Sequence, residues 1–259
     1  MFSLKPNDEL PNFDNQITST HKASIRADFK IDDKLKFFHG KKAVLFISVG
    51  QAYHEEGKFL STIQLLNKYD FQRIDLMMAD TLQRHNFKGS MGIDAAHEYT
   101  KKAGDLWLKR NQNSLEQIQF KHRIYHWDEL LNHQDYPHYR KIIDERYQTD
   151  TDYRNALKLN ASAYIERLKT INPKVEEKEL LNNGVEYLIE EMPIVMPIWA
   201  NMGYEIIIYP KPLTIGMKKT YELFVKDTYP DKCQWIYLRF KKEKTSKLDD
   251  LFLVKNPTI

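Results

Sequence analysis

Ser48 stands where an apolar run ends, a place at which a hydroxyl can act as a nucleophile. The run covers residues 43–49, is rich in β-branched and aromatic residues and stops at Gly50, which predicts a buried strand. A serine between a strand and a helix can instead be a turn or cap residue, because its hydroxyl satisfies local backbone donors. The nucleophile elbow of α/β-hydrolases is absent, since Phe46 stands where that motif requires its first glycine.

Tyr187 and Glu191 place a phenol and a carboxylate four residues apart in a segment with helical character. Side chains at this spacing project from one helix face, so together they could bind an ammonium group. The alternative is an aromatic residue at the edge of the core beside a solvated acid. Tyr209 and Pro210 end a second apolar run, where proline is tolerated; the alternative there is a simple strand terminator.

Hydrophobic periodicity predicts the elements that position these residues. A helix follows the first strand, and the sequence RIDLMMAD from Arg73 predicts a second strand, which together form a βαβ unit with a parallel sheet. Further strands are predicted at residues 120–127, 204–210, 234–240 and 251–255, and helices at 93–118, 139–168, 179–199 and 218–226. We therefore expect an α/β fold with a Rossmann-like, doubly wound, mostly parallel sheet and additional helices. Ligands bind such sheets at the carboxyl ends of the strands, which predicts one crevice at Ser48, Asp80 and Tyr209.

Composition and charge narrow the function classes. The 259 residues, with a single Cys, predict one domain over residues 1–259, of which 1–35 form an N-terminal extension. The first 30 residues contain no apolar stretch that could serve as a secretory signal, and no apolar run is long enough to span a membrane, so we expect a cytoplasmic protein. We also expect a monomer. The net charge is +3, and residues 98–123 alone carry six basic and three acidic residues, so the remainder is neutral. That basic segment is either a solvated helix face or a phosphate-binding one.

Four segments taken together resemble a known family. They are FISVGQAYHEEGKF, MMADTLQRH, YLIEEMP and IIIYP, in this order. The chain resembles a cyclodipeptide synthase from about residue 41 to about residue 240. The resemblance implies a Rossmann-like domain similar to the catalytic domains of class I tyrosyl- and tryptophanyl-tRNA synthetases. It also implies two aminoacyl-tRNAs as substrates, a cyclic dipeptide as product, and no cofactor, ATP or metal.

The resemblance assigns roles by position. Ser48 corresponds to the nucleophile, Tyr187 and Glu191 to the residues that hold the aminoacyl amino group, and Tyr209 to the tyrosine of the late strand. The remaining substrate-binding residues are expected to be Val44, Phe46, Gly50, Gln51, Met77, Ile194, Ile207 and Pro210, and the tRNA-binding residues Lys101, Lys102, Lys109 and Arg110. With Gln51 and Pro210, the chain resembles the Tyr-Pro branch of the family. Phe46, two residues before Ser48 on the same strand face, predicts a small apolar first amino acid.

Two other functions stay open at this point. An ATP-dependent, synthetase-like enzyme is favoured only by KTSK at residues 244–247, and HEEG at 54–57 lacks the second histidine of the other synthetase signature. A tRNA-binding protein without catalysis would also fit the basic segment. The chain has no G-x-G-x-x-G and no P-loop sequence, and the pair His122 and His126 lacks a third ligand at metal-site spacing.

Overall fold

A mixed six-stranded sheet forms the centre of the computed structural model, which describes residues 21–242. The strands are β1 (His21–Ala27), β2 (Lys42–Ser48), β3 (Arg73–Ala79), β4 (Ile124–Tyr125), β5 (Ile206–Tyr209) and β6 (Gln234–Lys242). Their order across the sheet is β1-β6-β5-β2-β3-β4. Strands β2 to β6 run parallel, and β1 pairs antiparallel with β6 at one edge. This is the α/β architecture that the sequence predicts.

Helices cover both faces of this sheet. They are α1 (Lys34–Phe38), α2 (Glu56–Leu66), α3 (Lys88–Met91), α4 (Ile93–Arg110), α5 (Gln112–Leu115), α6 (Trp127–Leu131), α7 (Tyr136–Thr149), α8 (Thr151–Ser162), α9 (Ile165–Ile171), α10 (Glu177–Pro193), α11 (Trp199–Asn201) and α12 (Ile215–Phe224). Short 3₁₀ segments lie at Ala52–His54 and Thr81–Asn86, and a π-helical turn lies at Ile194–Ile198. Pro197 falls in that turn, and its missing N–H removes one helical hydrogen bond there.

Strand β2 shows how the sequence forms two hydrophobic layers. Its side chains alternate, so Val44 and Phe46 join the cluster that contains α8 and α10, whereas Leu45 and Ile47 join the cluster that contains α2 and Trp107 of α4. Both faces are buried, which explains why β2 is an uninterrupted apolar run. Ser48, the last residue of β2, follows in the alternation on the same side as Phe46.

The structure departs from the predicted elements in four places. Residues 21–27, expected in an extension, form the edge strand β1, and the strand predicted at 120–127 is only two residues long. The helix predicted at 93–118 ends at Arg110 before the short α5. The region predicted as one or two helices at 139–168 spans α7, α8 and part of α9. The predicted strand 251–255 and the KTSK sequence lie outside the described residues.

None of the helices within residues 21–242 combines the length and the apolar composition that a membrane crossing needs.

Candidate active site

A cavity opens at the carboxyl ends of β2 and β5, which are neighbours in the sheet. Each strand ends in a hydroxyl residue that lines this cavity, Ser48 on β2 and Tyr209 on β5. Ser48 Oγ lies 3.0 Å from the Tyr209 hydroxyl, within hydrogen-bond distance. The empty volume of the cavity, including the part open to solvent, is about 830 Å³. The sheet therefore presents a candidate nucleophile where parallel sheets bind ligands.

A third hydroxyl extends this pair into a chain. Tyr53, in the 3₁₀ segment after β2, places its hydroxyl 2.8 Å from that of Tyr209, and it also lines the cavity. Burial raises the pKa of Tyr53 to about 12 and the pKa of Tyr209 well above its ordinary value, so both phenols stay neutral. Ser48, Tyr209 and Tyr53 thus form a series of neutral hydroxyls along which a proton can move.

Helix α10 supplies the opposite side of the cavity. Tyr187 and Glu191 lie one turn apart on α10, and both side chains line the cavity. Gln83 Nε2 donates to the Tyr187 hydroxyl at 3.2 Å and to the Ala79 carbonyl at 3.3 Å, which fixes the phenol relative to β3. No residue between 21 and 242 hydrogen-bonds to the Glu191 side chain, and burial, with no opposing partner, raises its pKa to about 8. A buried carboxyl without a partner favours a cationic ligand beside it.

His54 is the histidine nearest to Ser48 in sequence, and it stays neutral. Burial lowers the pKa of His54 to about 3. Its ring lies 5.7 Å from that of Tyr209, centroid to centroid, and its Nε2 has no hydrogen-bond partner among the described residues. The neutral His54 ring thus lies beside the Tyr209 ring and makes no hydrogen bond to Ser48.

The substrate-binding residues predicted from the sequence divide into two groups. Phe46 and Gln51 line the cavity. The other six, Val44, Gly50, Met77, Ile194, Ile207 and Pro210, do not line it. Four of these, Val44, Met77, Ile194 and Ile207, are fully buried in the same apolar cluster as Phe46, whose ring packs against Trp199 and Tyr209. Membership of this apolar cluster therefore does not bring them to the cavity, although Phe46 reaches it.

Asp80 is also absent from the cavity, contrary to the single crevice that the sequence predicts. Its carboxylate is buried and accepts hydrogen bonds from the backbone N–H groups of Thr81 and Trp127. Its other oxygen lies 2.6 Å from His126 Nδ1, which raises the pKa of His126. Asp80 thus anchors the start of α6 to the end of β3.

A comparison with known protein families shows which family this chain belongs to. The sequence profile of one family, described as cyclodipeptide synthase, matches residues 35–222, which include β2, α10, β5 and the cavity residues named above. The chain belongs to the cyclodipeptide synthase family. A comparison with curated proteins returned no match.

Solved cyclodipeptide synthases share this fold. A structure from Fluoribacter dumoffii is 29% identical with a TM-score of 0.79, and the match covers 85% of this chain and 98% of that one. A structure from Candidatus Glomeribacter gigasporarum, bound to Phe-tRNAPhe, is 20% identical with a TM-score of 0.66 and coverages of 86% and 97%. A Mycobacterium tuberculosis structure, described as showing that cyclodipeptide synthetases are related to type I tRNA synthetases, is 13% identical with a TM-score of 0.58 and coverages of 91% and 100%.

The first part of the basic segment of the sequence lies in α4, and its four predicted tRNA-binding residues are not equivalent. Lys101, Lys102 and Lys109 are exposed. Arg110 is instead paired, because its Nη2 donates to Glu55 Oε1 at 2.9 Å and both side chains are largely buried. The three lysines are free to meet phosphates, whereas Arg110 fastens α4 to the segment that follows β2.

Several further residues line the cavity that no pattern in the sequence indicates. They are Tyr53, Gln83, Tyr164, Arg167 and Lys211. Tyr53 belongs to a segment that carries the family resemblance, but only the fold shows that its hydroxyl reaches Tyr209. Within residues 21–242, no group of three or more His, Cys, Asp or Glu side chains is suitably placed for a metal ion. His126 bonds to Asp80, and His122 Nδ1 lies 3.3 Å from the Phe120 carbonyl oxygen.

Proposed function

We propose that this protein takes two aminoacyl groups from two aminoacyl-tRNAs and joins them as a cyclic dipeptide, through an aminoacyl-Ser48 enzyme. The observation that carries the proposal is that the Ser48 hydroxyl and the unpaired Glu191 carboxyl line one cavity. One aminoacyl ester can therefore present its carbonyl carbon to Ser48 and its ammonium group to Glu191. The Phe-tRNAPhe complex of the Candidatus Glomeribacter gigasporarum synthase supports aminoacyl-tRNA as the substrate class.

The first transfer needs no ATP, because an aminoacyl ester is already activated. Ser48 Oγ bonds to the ester carbonyl carbon, the bond from that carbon to the ribose oxygen of the tRNA breaks, and the serine proton ends on that ribose oxygen. Tyr209, 3.0 Å from Ser48 Oγ, passes the proton, and Tyr53 holds Tyr209. Backbone N–H groups after Gly50 are the proposed oxyanion donors.

The second transfer and the ring closure use amines as nucleophiles. The amine of the second aminoacyl-tRNA attacks the acyl group on Ser48, which releases the serine and gives a dipeptidyl-tRNA. The free amine of the dipeptide then attacks its own ester carbonyl, closes the six-membered ring and releases the second tRNA. Each amine must lose a proton, and a carboxylate whose pKa is about 8, such as Glu191, can accept one near neutral pH.

The finer assignments belong to the same proposal. Gln51 and Pro210 support membership of the Tyr-Pro branch, and Gln51 lines the cavity. Phe46, Gln51 and the apolar side of α10 contact the first aminoacyl group, and the lysines of α4 contact tRNA phosphates. The enzyme acts as a cytoplasmic monomer without a cofactor.

Purified protein mixed with radiolabelled aminoacyl-tRNA in the absence of ATP tests this function. A covalent label on the protein and a cyclic dipeptide in solution are expected. Adenylate formation only when ATP is added would instead identify a synthetase-like enzyme. Binding of tRNA with neither label nor product would identify a tRNA-binding protein without catalysis.

A further inference from the structure

The outer part of the cavity carries a group of residues that the proposed chemistry does not use. Tyr164 precedes α9, Arg167 lies within α9, and Lys211 follows β5; all three line the cavity and are exposed. Lys211 Nζ lies 5.9 Å from the centroid of the Tyr164 ring and 5.4 Å from that of Tyr53. We call Tyr164, Arg167 and Lys211 the rim cluster. It connects the outside of the cavity to the hydroxyl chain at Ser48.

The two cations of the rim cluster lack an anionic partner in the part of the chain that the structure describes. Neither Arg167 nor Lys211 forms an ion pair with a carboxylate of residues 21–242, whereas Arg84 and Arg110 each do. Partial burial and the neighbouring Arg167 charge lower the pKa of Lys211. Two like charges that face one space without a counter-ion favour an anion between them.

The acidic group and the basic groups of the cavity lie at opposite ends of it. Glu191 is buried at the inner wall, and the cations stand at the exposed rim. The end of an aminoacyl-tRNA has the same polarity, because its ammonium group lies beside the ester and its phosphates lie farther along the strand. An exposed tyrosine among cations also suits an unpaired base, which stacks on an aromatic ring with little regard to sequence.

We propose that the rim cluster is a subsite for the single-stranded 3′ end of an aminoacyl-tRNA, in which Arg167 and Lys211 bind backbone phosphates and the Tyr164 ring stacks on an unpaired base. The inference rests on the proposed function, and it adds a second contact zone to the one predicted on α4. This zone recognises the nucleotides next to the ester and ignores the amino acid.

Two ester substrates separate nucleotide recognition from chemistry. One is an aminoacyl-tRNA, and the other is the cyanomethyl ester of the same amino acid, which has an activated acyl group but no nucleotide. Arg167→Ala combined with Lys211→Ala is expected to lower the acylation rate of Ser48 by aminoacyl-tRNA about tenfold, with acylation by the cyanomethyl ester unchanged. The matched control, Lys174→Ala combined with Lys226→Ala, removes two exposed lysines outside the cavity and should change neither rate.

Variants of Tyr164 and a salt titration test the nucleotide contact itself. Tyr164→Ala should slow acylation by aminoacyl-tRNA, and Tyr164→Phe should restore it, since stacking needs the ring and not the hydroxyl. Loss of two phosphate contacts on a single strand should also reduce the slope of log binding constant against log salt concentration by about 1.4, measured with uncharged tRNA.

The outcomes distinguish the rim cluster from the proposed function. If the wild-type protein is acylated by aminoacyl-tRNA and the Arg167/Lys211 double variant matches it in rate and in salt slope, the rim subsite is wrong. Equal losses with both esters would also overturn it, because the cluster would then act on Ser48 rather than on nucleotides. If the wild-type protein is never acylated by aminoacyl-tRNA, the proposed function itself fails.

Discussion

Two adjacent glutamates on α10 sit in opposite surroundings. The Glu190 carboxylate accepts hydrogen bonds from Arg84, from His85 Nε2 at 3.0 Å and from Trp127 Nε1 at 2.9 Å. Burial alone would raise the pKa of Glu190, but the hydrogen bond and charge of His85 and the charge of Arg84 hold it below its ordinary value. Glu191 has no such partner within the described residues, and burial raises its pKa to about 8.

The difference separates a charged carboxylate that holds the fold, Glu190, from a carboxyl that is mostly protonated at neutral pH until a cationic ligand binds beside it, Glu191. Consecutive residues of a helix point about 100° apart, so Glu190 faces the segment Thr81–Asn86 and α6, and Glu191 faces the cavity. A buried, fully bonded carboxylate stabilises the packing of its neighbours, and removing it leaves them unpaired. A buried carboxyl that lacks a partner costs stability unless a cation arrives, which suits a binding site.

The largest expected effect is on stability, at Glu190. Glu190→Gln should lower the free energy of unfolding by roughly 3–5 kcal/mol, because it leaves the Arg84 charge buried beside a neutral amide. Urea unfolding followed by circular dichroism measures this loss. The matched variant is Glu191→Gln, one residue away; if both variants unfold at the same urea concentration, the comparison between the two glutamates is wrong.

The next effect is on turnover, at Glu191. Glu191→Gln should reduce cyclic dipeptide formation roughly 10- to 100-fold, since it removes a charge-assisted contact worth about 1.5–3 kcal/mol to the substrate ammonium. Steady-state rates with saturating aminoacyl-tRNA report the loss. A variant that keeps the full rate would assign Glu191 to a purely structural role.

The same variant has a stability signature with a defined sign. The pKa of Glu191 in the folded protein is raised from 4.5 to about 8, so the folded state binds the proton more tightly than the unfolded state does. Protonated Glu191 therefore makes its full contribution to the free energy of unfolding below pH 4.5, and this contribution is lost as the pH rises to about 8. The wild type should lose stability over this range relative to Glu191→Gln, which has no such proton to lose. Melting temperatures of both proteins at pH 5 and pH 8 check this; a constant difference would contradict it.

A smaller effect is expected on tRNA binding, where the exposed lysines of α4 can be compared with the paired Arg110. Replacing Lys101, Lys102 and Lys109 together by alanine should weaken tRNA binding and lower its salt slope by somewhat under one unit per lost phosphate contact. Arg110→Ala should leave the slope unchanged and reduce stability, because Arg110 is paired with Glu55. If the triple variant had the same salt slope as the wild type, these lysines of α4 would not contact tRNA phosphates.

The smallest expected effect is on amino-acid preference. Phe46 occupies space in the cavity wall, so the wild-type protein should accept a small apolar aminoacyl group such as alanyl on Ser48. Phe46→Leu should raise the acceptance of larger groups about tenfold relative to alanyl. A panel of aminoacyl-tRNAs, scored by the acyl mass on the enzyme, measures the ratio; preferential Phe, Tyr or Trp acylation of the wild type would contradict the pocket argument.

The sequence was informative where burial and local spacing decide the structure. Strands β2, β3 and β5 are predictable because they are buried apolar runs, and β6 is predictable because its first half is mostly buried and apolar. Strand β1, with the sequence HKASIRA, lies at an edge and carries polar residues, so no apolar run marks it. The i, i+4 spacing brings Tyr187 and Glu191 onto one face of α10. The local sequence does not encode depth within the sheet, so it does not show that Val44 and Met77 are fully buried in the apolar cluster. It also does not show the contact from Tyr53 to Tyr209, which joins residues 156 positions apart.

Acylation of Ser48 is the central claim, and intact-protein mass spectrometry tests it directly. Wild-type protein mixed with aminoacyl-tRNA without ATP should gain the mass of one aminoacyl residue, and peptide mapping should locate it on Ser48. Ser48→Ala should gain nothing and make no cyclic dipeptide, whereas Ser90→Ala, which removes an exposed serine outside the cavity, should behave as the wild type does. An acyl group on another residue, or undiminished cyclic dipeptide from Ser48→Ala, would contradict the account.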